Sequence, residues 1–512
     1  MTMESPFKDI LHTNAVPSDA DCQTIRDFLV GPREEMAALT DEIAALRALL
    51  DERTSKRAVL DEFVAAHLAL VSPVRRLPAD IIRDIFVASL PSGQNSTIAE
   101  QDAPLLLCHI CRAWRSLALS TPRLWASLHI VAPPNVRMIS LNDTVNSWLS
   151  RSGVLPLAIS VAVSPTSRHI PDISMLHTLI AFSLRWEHIK FTFPTYESLS
   201  PLASLSPTDV PILRTAAISC FSQHRAMTEW NNVGFLVTPS VHSACIGVKN
   251  APLSSIPLRW ERLRQLSFRG SGVSIPADLA LDILQKCPLL ETFSVAVTRG
   301  NAGTRCYMHH LQNLYVFNYN ESDFFEHLVA PKLVCLQSMG YGFQVKCTPI
   351  LSSSPPLESL SLSIVSTQSL LEALSLVPSL RRLLLSAEPL SRGKADPLFI
   401  SSLNQAEAGA VICPNLEHIE LLDFSQMSEQ ALLEFIQTRA KPGPTMPLSA
   451  ARVCFARAKQ IDIIPPLQPL ISAGFKISLE YPPQGPAPAY SPSQARERNG
   501  ADWAPFAGGK PW

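Results

Sequence analysis

The chain has 512 residues, enough for about three domains or one extended repeat array at roughly 100 to 200 residues per domain, and it needs no disulfide staples. Hydrophobic residues make up 46% of it and charged residues 17%, which excludes a charge-driven disordered protein. With 43 Lys plus Arg against 44 Asp plus Glu the formal net charge is -1, so no global field draws the chain to nucleic acid or to an anionic membrane.

Met1-Thr2-Met3-Glu4-Ser5-Pro6 lacks the basic stretch and apolar run of a secretory signal. Later apolar runs are too broken to span a bilayer; Leu370 to Leu385 is interrupted by Glu372, Ser375, Pro378, Arg381 and Arg382. The eleven Cys are scattered and mostly inside apolar stretches, the pattern of buried reduced thiols. A cytoplasmic and/or nuclear protein is expected.

Residues 1–32 carry Pro and small polar residues with little periodicity and are expected to form a mobile arm. From Arg33 to Ser72 there is no Gly and no Pro, and Met36, Leu39, Ile43, Leu46, Leu50, Leu60, Val64 and Val71 fall on alternating three and four spacings. The spacing predicts one long coiled-coil-like helix over 33–72. Its register also sets Arg53, Arg57 and His67 on the seam, which leaves two fates open: folding back on its own protein, or self-association.

Pro73 ends this helix and Pro78 opens another, carrying Ile81, Ile82, Ile85, Phe86, Val87 and Leu90. At 100° per residue these side chains cover well over half the circumference, so the helix must be buried on two sides, inside a large domain or between its own small core and a partner chain. A polar stretch, Ser92 to Asp102, leads to a second helical spacing, Leu105, Leu106, Leu107, Ile110, Cys111, Trp114, Leu117 and Ala118, and Thr121-Pro122 offers a cap before Leu124 and Trp125.

Taken together, Leu77-Pro78-Ala79-Asp80-Ile81-Ile82-Arg83-Asp84-Ile85-Phe86, then Cys111-Arg112-Ala113-Trp114 and Pro122-Arg123-Leu124-Trp125, resemble an F-box over Leu77 to Leu128, in the form found in mushroom-forming fungi. Two features depart from the pattern: the stretch before the Cys-Arg-x-Trp helix is longer than usual, and no short second helix is evident within it. The resemblance implies docking of a Skp-family adaptor, and through it a cullin-RING ubiquitin ligase. The adaptor-binding residues it implies are Leu77, Pro78, Ile81, Ile82, Ile85, Phe86, Cys111, Arg112, Trp114 and Trp125, some of which must serve the small domain's own core. By apolar area, Trp114 and Phe86 are the expected hot spots.

Beyond Val131 a short unit, apolar-x-x-apolar-x-apolar, recurs with leading residues Leu263, Leu290, Leu311, Leu357, Leu380 and Leu416, and a weaker copy begins at Leu333. The steps are 27, 21, 22, 24, 23 and 36 residues, the period of leucine-rich repeats with one strand per unit. Pro stands two residues before the leading leucine at Pro288, Pro331, Pro355, Pro378 and Pro414, where it ends the preceding helix. Helices are expected at Ala277 to Cys287, Ser369 to Val377 and Ser428 to Arg439, with weaker strand echoes at Trp186, Leu213 and Val241. Substrate-facing candidates between the leucines are Arg264, Arg269, Tyr315, Asn318, Tyr319, Glu358, Arg381 and Glu420. Residues 481–512 turn to Pro, Ala, Gly and Ser and are expected to be a disordered tail.

No phosphate-binding glycine loop, H-E-x-x-H or G-x-S-x-G occurs. Cys108-x-x-Cys111 lacks a second pair for zinc, and His309-His310 lacks nearby carboxylates. No catalytic residue, metal or cofactor is expected. The fold expected is mixed α and α/β: a long N-terminal helix (33–72), a small all-α F-box (73–130) and an α/β leucine-rich-repeat-like solenoid (131–480). The function expected is that of a non-catalytic ligase adaptor presenting a protein substrate. The alternative is a scaffold that assembles through the 33–72 helix and the repeats and never meets a ligase.

Overall fold

The computed structural model describes residues 5–132, 138–163, 173–193, 197–220, 233–248, 253, 256–268, 273–301, 303–318, 323–340, 347–353, 355–364, 367–387, 399–404, 411–424, 427–441 and 446–482. The chain divides into two compact units, Met1–Ile82 and Arg83–Trp512. No helix among the described residues is long and apolar enough to cross a membrane. The expected tail, apart from Tyr481 and Pro482, lies outside the described residues.

The first unit is dominated by α1 (Asp19–Leu70), 52 residues long. It starts well before Arg33, so residues 19–32 are helical, which corrects the expected arm. A capping box explains the start: Asp21 N–H donates to Ser18 Oγ at 3.3 Å, and Ser18 N–H donates to the Asp21 carboxylate at 3.2 Å. Asp19 and Asp21 also place negative charge on the positive end of the helix. Pro32 lies inside the helix, where it deletes one backbone donor without ending the ladder. Phe7 folds onto it, its ring edge-on to Phe28 at 6.0 Å. None of the residues of α1 is buried, so its apolar seam lies in solvent rather than against a core. A 3-10 turn, Pro73–Arg76, follows.

α2 (Ala79–Ala88) carries the chain into the second unit. The single helix expected across Leu105 to Ala118 is two, α3 (Leu105–Ile110) and α4 (Arg112–Leu119). The break is at Cys111, whose backbone is fully extended (φ -158°, ψ 169°) and whose Sγ accepts from Trp114 N–H at 3.4 Å. Cys111 thus takes the place of Ser or Asp as N-cap of α4. α3 is a separate short helix where the sequence showed only one longer helical spacing.

The rest of the unit is built on parallel strands: β1 (Ser127–Ala132), β2 (Leu157–Val163), β3 (Trp186–Phe193), β4 (Thr215–Cys220), β5 (Ser243–Val248), β6 (Gln265–Phe268), β7 (Ile275–Pro276), β8 (Thr292–Thr298), β9 (Cys306–Tyr307), β10 (Asn313–Asn318), β11 (Leu328–Val329), β12 (Cys335–Gly340), β13 (Ser359–Ile364), β14 (Arg382–Ala387), β15 (His418–Phe424), β16 (Ala450–Phe455) and β17 (Lys476–Glu480). Fifteen form one sheet in chain order, with β7 beside β8 off the main path, while β9 and β11 pair separately. Helices in the connections include α5 (Met138–Arg151), α6 (Ile173–Ile180), α7 (Ala277–Lys286), the shorter α8 (Phe324–His327), α9 (Thr348–Leu351), α10 (Thr367–Ser375) and α11 (Phe399–Ser402), and α12 (Glu429–Arg439). Strands occur at every leucine unit read from the sequence, and at the weaker echoes.

The register explains the pattern. Leu266, Phe293, Leu314, Leu336, Leu360, Leu383 and Ile419 are cross-strand neighbours in one continuous row, all buried. The leading leucines, Leu290, Leu311, Leu333, Leu357 and Leu380, are each 0% exposed. A unit this small cannot bury its own apolar face, and stacking in register does it instead. The pattern also begins earlier than expected: Trp125, Leu128 and Ile130 keep the same spacing at β1 and are all 0% exposed.

The polar stretch from Ser92 to Asp102 has a structural task. Ser96 carbonyl oxygen accepts from His129 N–H at 2.7 Å, Thr97 bridges His129 in parallel, and Asn95 Nδ2 donates to Ser160 Oγ at 3.0 Å. The Thr97 hydroxyl is itself held by Asp102 at 2.9 Å. This strap covers the edge of β1, which would otherwise present unpaired backbone groups to other chains.

Candidate docking surface

Helices α2, α3 and α4 place the ten implied docking residues very differently. In the first unit, Leu77 and Ile82 are half-buried, Pro78 is exposed and Ile81 is 43% exposed. In the second unit, Ile85 is 47% exposed, Cys111 and Arg112 are exposed and Trp114 is half-buried. Phe86 and Trp125 are 0% exposed. Phe86 meets the Trp114 ring at 4.8 Å between centroids, and Trp125 meets Trp148 of α5 edge-to-face at 4.8 Å. The Trp125 indole N–H donates to Ala118 carbonyl oxygen at 2.9 Å and Arg151 lies over its ring at 4.7 Å. Phe86 and Trp125 are therefore core residues, and Phe86 is not an exposed hot spot; Trp125 ties the helices to the sheet.

Two apolar residues outside the implied docking set also face solvent on α3: Leu106 at 44% and Ile110 at 53%. On one continuous helix they would share a face with Trp114, and the break at Cys111 divides that face. A signal was present in Leu105-Leu106-Leu107, because three successive leucines cannot share one face of a helix. Fully burying a side chain of this kind is worth roughly 1.5 to 3 kcal/mol relative to exposure, and about half of that is still to be gained at Ile85, Leu106 and Ile110.

Cys108 is buried, and burial pushes its thiol pKa up against the opposing field of Arg151 and Arg115. Arg115 Nε donates to Cys108 carbonyl oxygen at 2.8 Å, which ties α4 to α3. Burial likewise drives the Cys287 and Cys413 thiols to about 12, unreactive at neutral pH. Among the described residues no group of three or more His, Cys, Asp or Glu gathers as metal ligands would.

Three of the eight candidates between the leucines are engaged in ion pairs. Arg264 pairs with Glu291, Arg381 with Glu417 at 3.4 Å, and Glu420 with Arg452 at 2.9 Å. Tyr315 is buried and Glu358 is exposed. Arg269, Tyr319 and the Asn318 side chain lie outside the described residues. A depression of about 400 Å³ lies over β13–β17, lined among others by Arg382, His418, Glu420, Arg452 and Lys476. Near the middle of the same face Ser267 and Ser294, register neighbours, are each 0% exposed with hydroxyls that have no hydrogen-bond partner among the described residues.

No protein-family model matches the chain, and no curated protein gives a significant match to it.

Proposed function

We propose that the chain is a substrate-recognition adaptor of a Skp-cullin-F-box ubiquitin ligase. The F-box-like region docks a Skp-family adaptor, the parallel sheet is a leucine-rich-repeat-like solenoid, and the solenoid presents a protein substrate without itself catalysing transfer. The observation that carries this reading is the split within α2 and α3. Phe86 and Leu107 are buried while Ile85, Leu106 and Ile110 stand 47%, 44% and 53% exposed on the same short helices. A helix that buries one side and exposes large aliphatic residues on another has the two-sided character read from its sequence, and a protein partner is the ordinary cover for such residues. The depression over β13–β17, with three cations and one carboxylate among its lining residues, is the proposed contact for a substrate segment of acidic character.

The test is capture of a purified Skp-family adaptor by the full chain, wild type beside Ile85→Asp and Ile110→Asp. Both substitutions fall on exposed positions, so thermal unfolding should match wild type while adaptor capture is lost. A folded wild-type chain that captures no adaptor overturns the reading and leaves the non-ligase scaffold in its place.

A further inference from the structure

Along helix α1 an apolar heptad seam runs through Leu29, Met36, Leu39, Ile43, Leu46 and Leu50 and resumes at Leu60 and Val64, while Pro32, Arg53, Arg57 and His67 occupy the remaining seam positions between Ile25 and His67. The helix is about 78 Å long at 1.5 Å per residue, and none of its residues is buried. Met36 at 65%, Leu46 at 58% and Leu50 at 64% exposure mark an apolar seam left in water. A sustained seam of this length is the feature that a second helix of the same kind covers.

The charges decide the orientation. In a parallel in-register pair Arg53 would meet Arg53 and Arg57 would meet Arg57, stacking four guanidinium groups in two successive core layers. In an antiparallel pair position a meets position d, and facing residue numbers add to a constant. At a sum of 89 the layers are Leu39 on Leu50, Ile43 on Leu46 and Leu60 on Leu29, while Arg53 faces Met36 and Arg57 faces Pro32. The flanking positions then set Glu35 against Lys56 and Arg26 against Asp61, each twice by symmetry, with no like charges opposed. Asp61 already lies 3.4 Å from Arg57 of its own helix. Sliding by one heptad spoils this: a sum of 96 opposes Arg47 to Arg47, and a sum of 82 opposes Arg33 to Arg47 and Glu42 to Glu42. The favoured sum is also that of the helix ends, Asp19 and Leu70, so the register that pairs the charges overlaps the two helices from end to end.

We infer that α1 is a homodimerisation rod, its partner a second copy of this chain lying antiparallel over Asp19–Leu70. The following parts of the two chains leave the rod at opposite ends. This inference does not depend on the ligase-adaptor reading.

The test uses the full chain. Light scattering after size exclusion should give twice 56.1 kDa at micromolar concentration, and a monomer or a higher oligomer overturns the inference. For orientation, His67→Cys sets a new thiol opposite Cys22 of the second copy. Copper-phenanthroline oxidation should then link position 22 to position 67 between chains, read by peptide mass spectrometry, whereas 22-to-22 and 67-to-67 links would mean a parallel pair and overturn it. Lys56→Glu should weaken the dimer at least tenfold and Glu35→Lys with Lys56→Glu should restore it; absence of rescue, with helix content unchanged, overturns the register. Adaptor capture by the Lys56→Glu chain reads the ligase proposal separately.

Discussion

Phe86 and Trp114 stand 4.8 Å apart, ring centroid to ring centroid, and yet face different surroundings: Phe86 is wholly buried and Trp114 is only half so. Replacing each by Ala should therefore separate folding from binding. Phe86→Ala empties a closed site and should cost about 3 to 5 kcal/mol in denaturant unfolding. Trp114→Ala should cost less stability and, under the adaptor proposal, weaken adaptor binding by about 2 kcal/mol, roughly thirtyfold, in calorimetry. Equal stability losses without any change in binding would place Trp114 in the core alone.

The strap over β1 predicts a solution property. Ser96 carbonyl oxygen and Thr97 satisfy the edge at His129, and removing residues 94–98 would leave that edge open. Such a deletion should keep the far-ultraviolet spectrum of the fold but increase edge-to-edge aggregation, seen as a rise in light scattering on concentration. The strap would be redundant if the deleted chain stayed as soluble as wild type.

How far the sequence could be read depended on whether bulky residues marked the period. The strands after Leu263 were legible because leucine and proline recur in phase, each where stacking needs an apolar row and a helix stop. Upstream, β4 and β5 fill the same row with Ala216 and Ala244, so the register holds while the visible pattern fades. Trp125 hid the earliest strand of the pattern by doing two jobs, closing against α4 through its bond to Ala118 and leading the spacing of β1. The exposed positions Ile81 and Ile85 were legible from the width of the apolar arc. Leu106 and Ile110 were legible only as part of one helix with Trp114, because nothing in the residue type of Cys111 announces the N-cap that divides it. The start of α1 was masked by Pro32, which breaks a periodicity argument without breaking the helix.

Ser267 and Ser294 make a test of polar burial. Their hydroxyls are fully enclosed with no partner, so each has lost its water without gaining a protein hydrogen bond. Ser294→Ala removes that desolvated group with little change of volume and should be neutral or stabilising by up to about 1 kcal/mol in thermal or denaturant unfolding. A clear destabilisation would mean that the hydroxyl is satisfied in solution, by water or by a ligand lodged on this face of the sheet.

The pair formed by Glu429 and Arg457 gives the fold an acid-sensitive joint. Glu429 stands at the start of α12, 0% exposed, with Arg457 donating to its carboxylate at 2.6 and 2.9 Å and Gln460 N–H at 3.0 Å. Burial alone would raise its pKa, but the Arg457 and backbone hydrogen bonds and the Arg457 charge outweigh it and hold the carboxyl at about 2. The folded value lies below the unfolded one, near 4.3, so the native state takes up its proton later than the unfolded chain does. The stabilisation is complete above the unfolded value and falls away as pH drops from about 4 towards 2. Glu429→Gln should flatten this part of the stability-pH curve. At neutral pH it should cost about 3 kcal/mol, because Arg457 keeps its charge at a mostly buried position without a counterion. Urea unfolding of both chains at pH 7 and between pH 5 and 2 measures the two effects together; parallel curves would assign the acid sensitivity to other carboxylates.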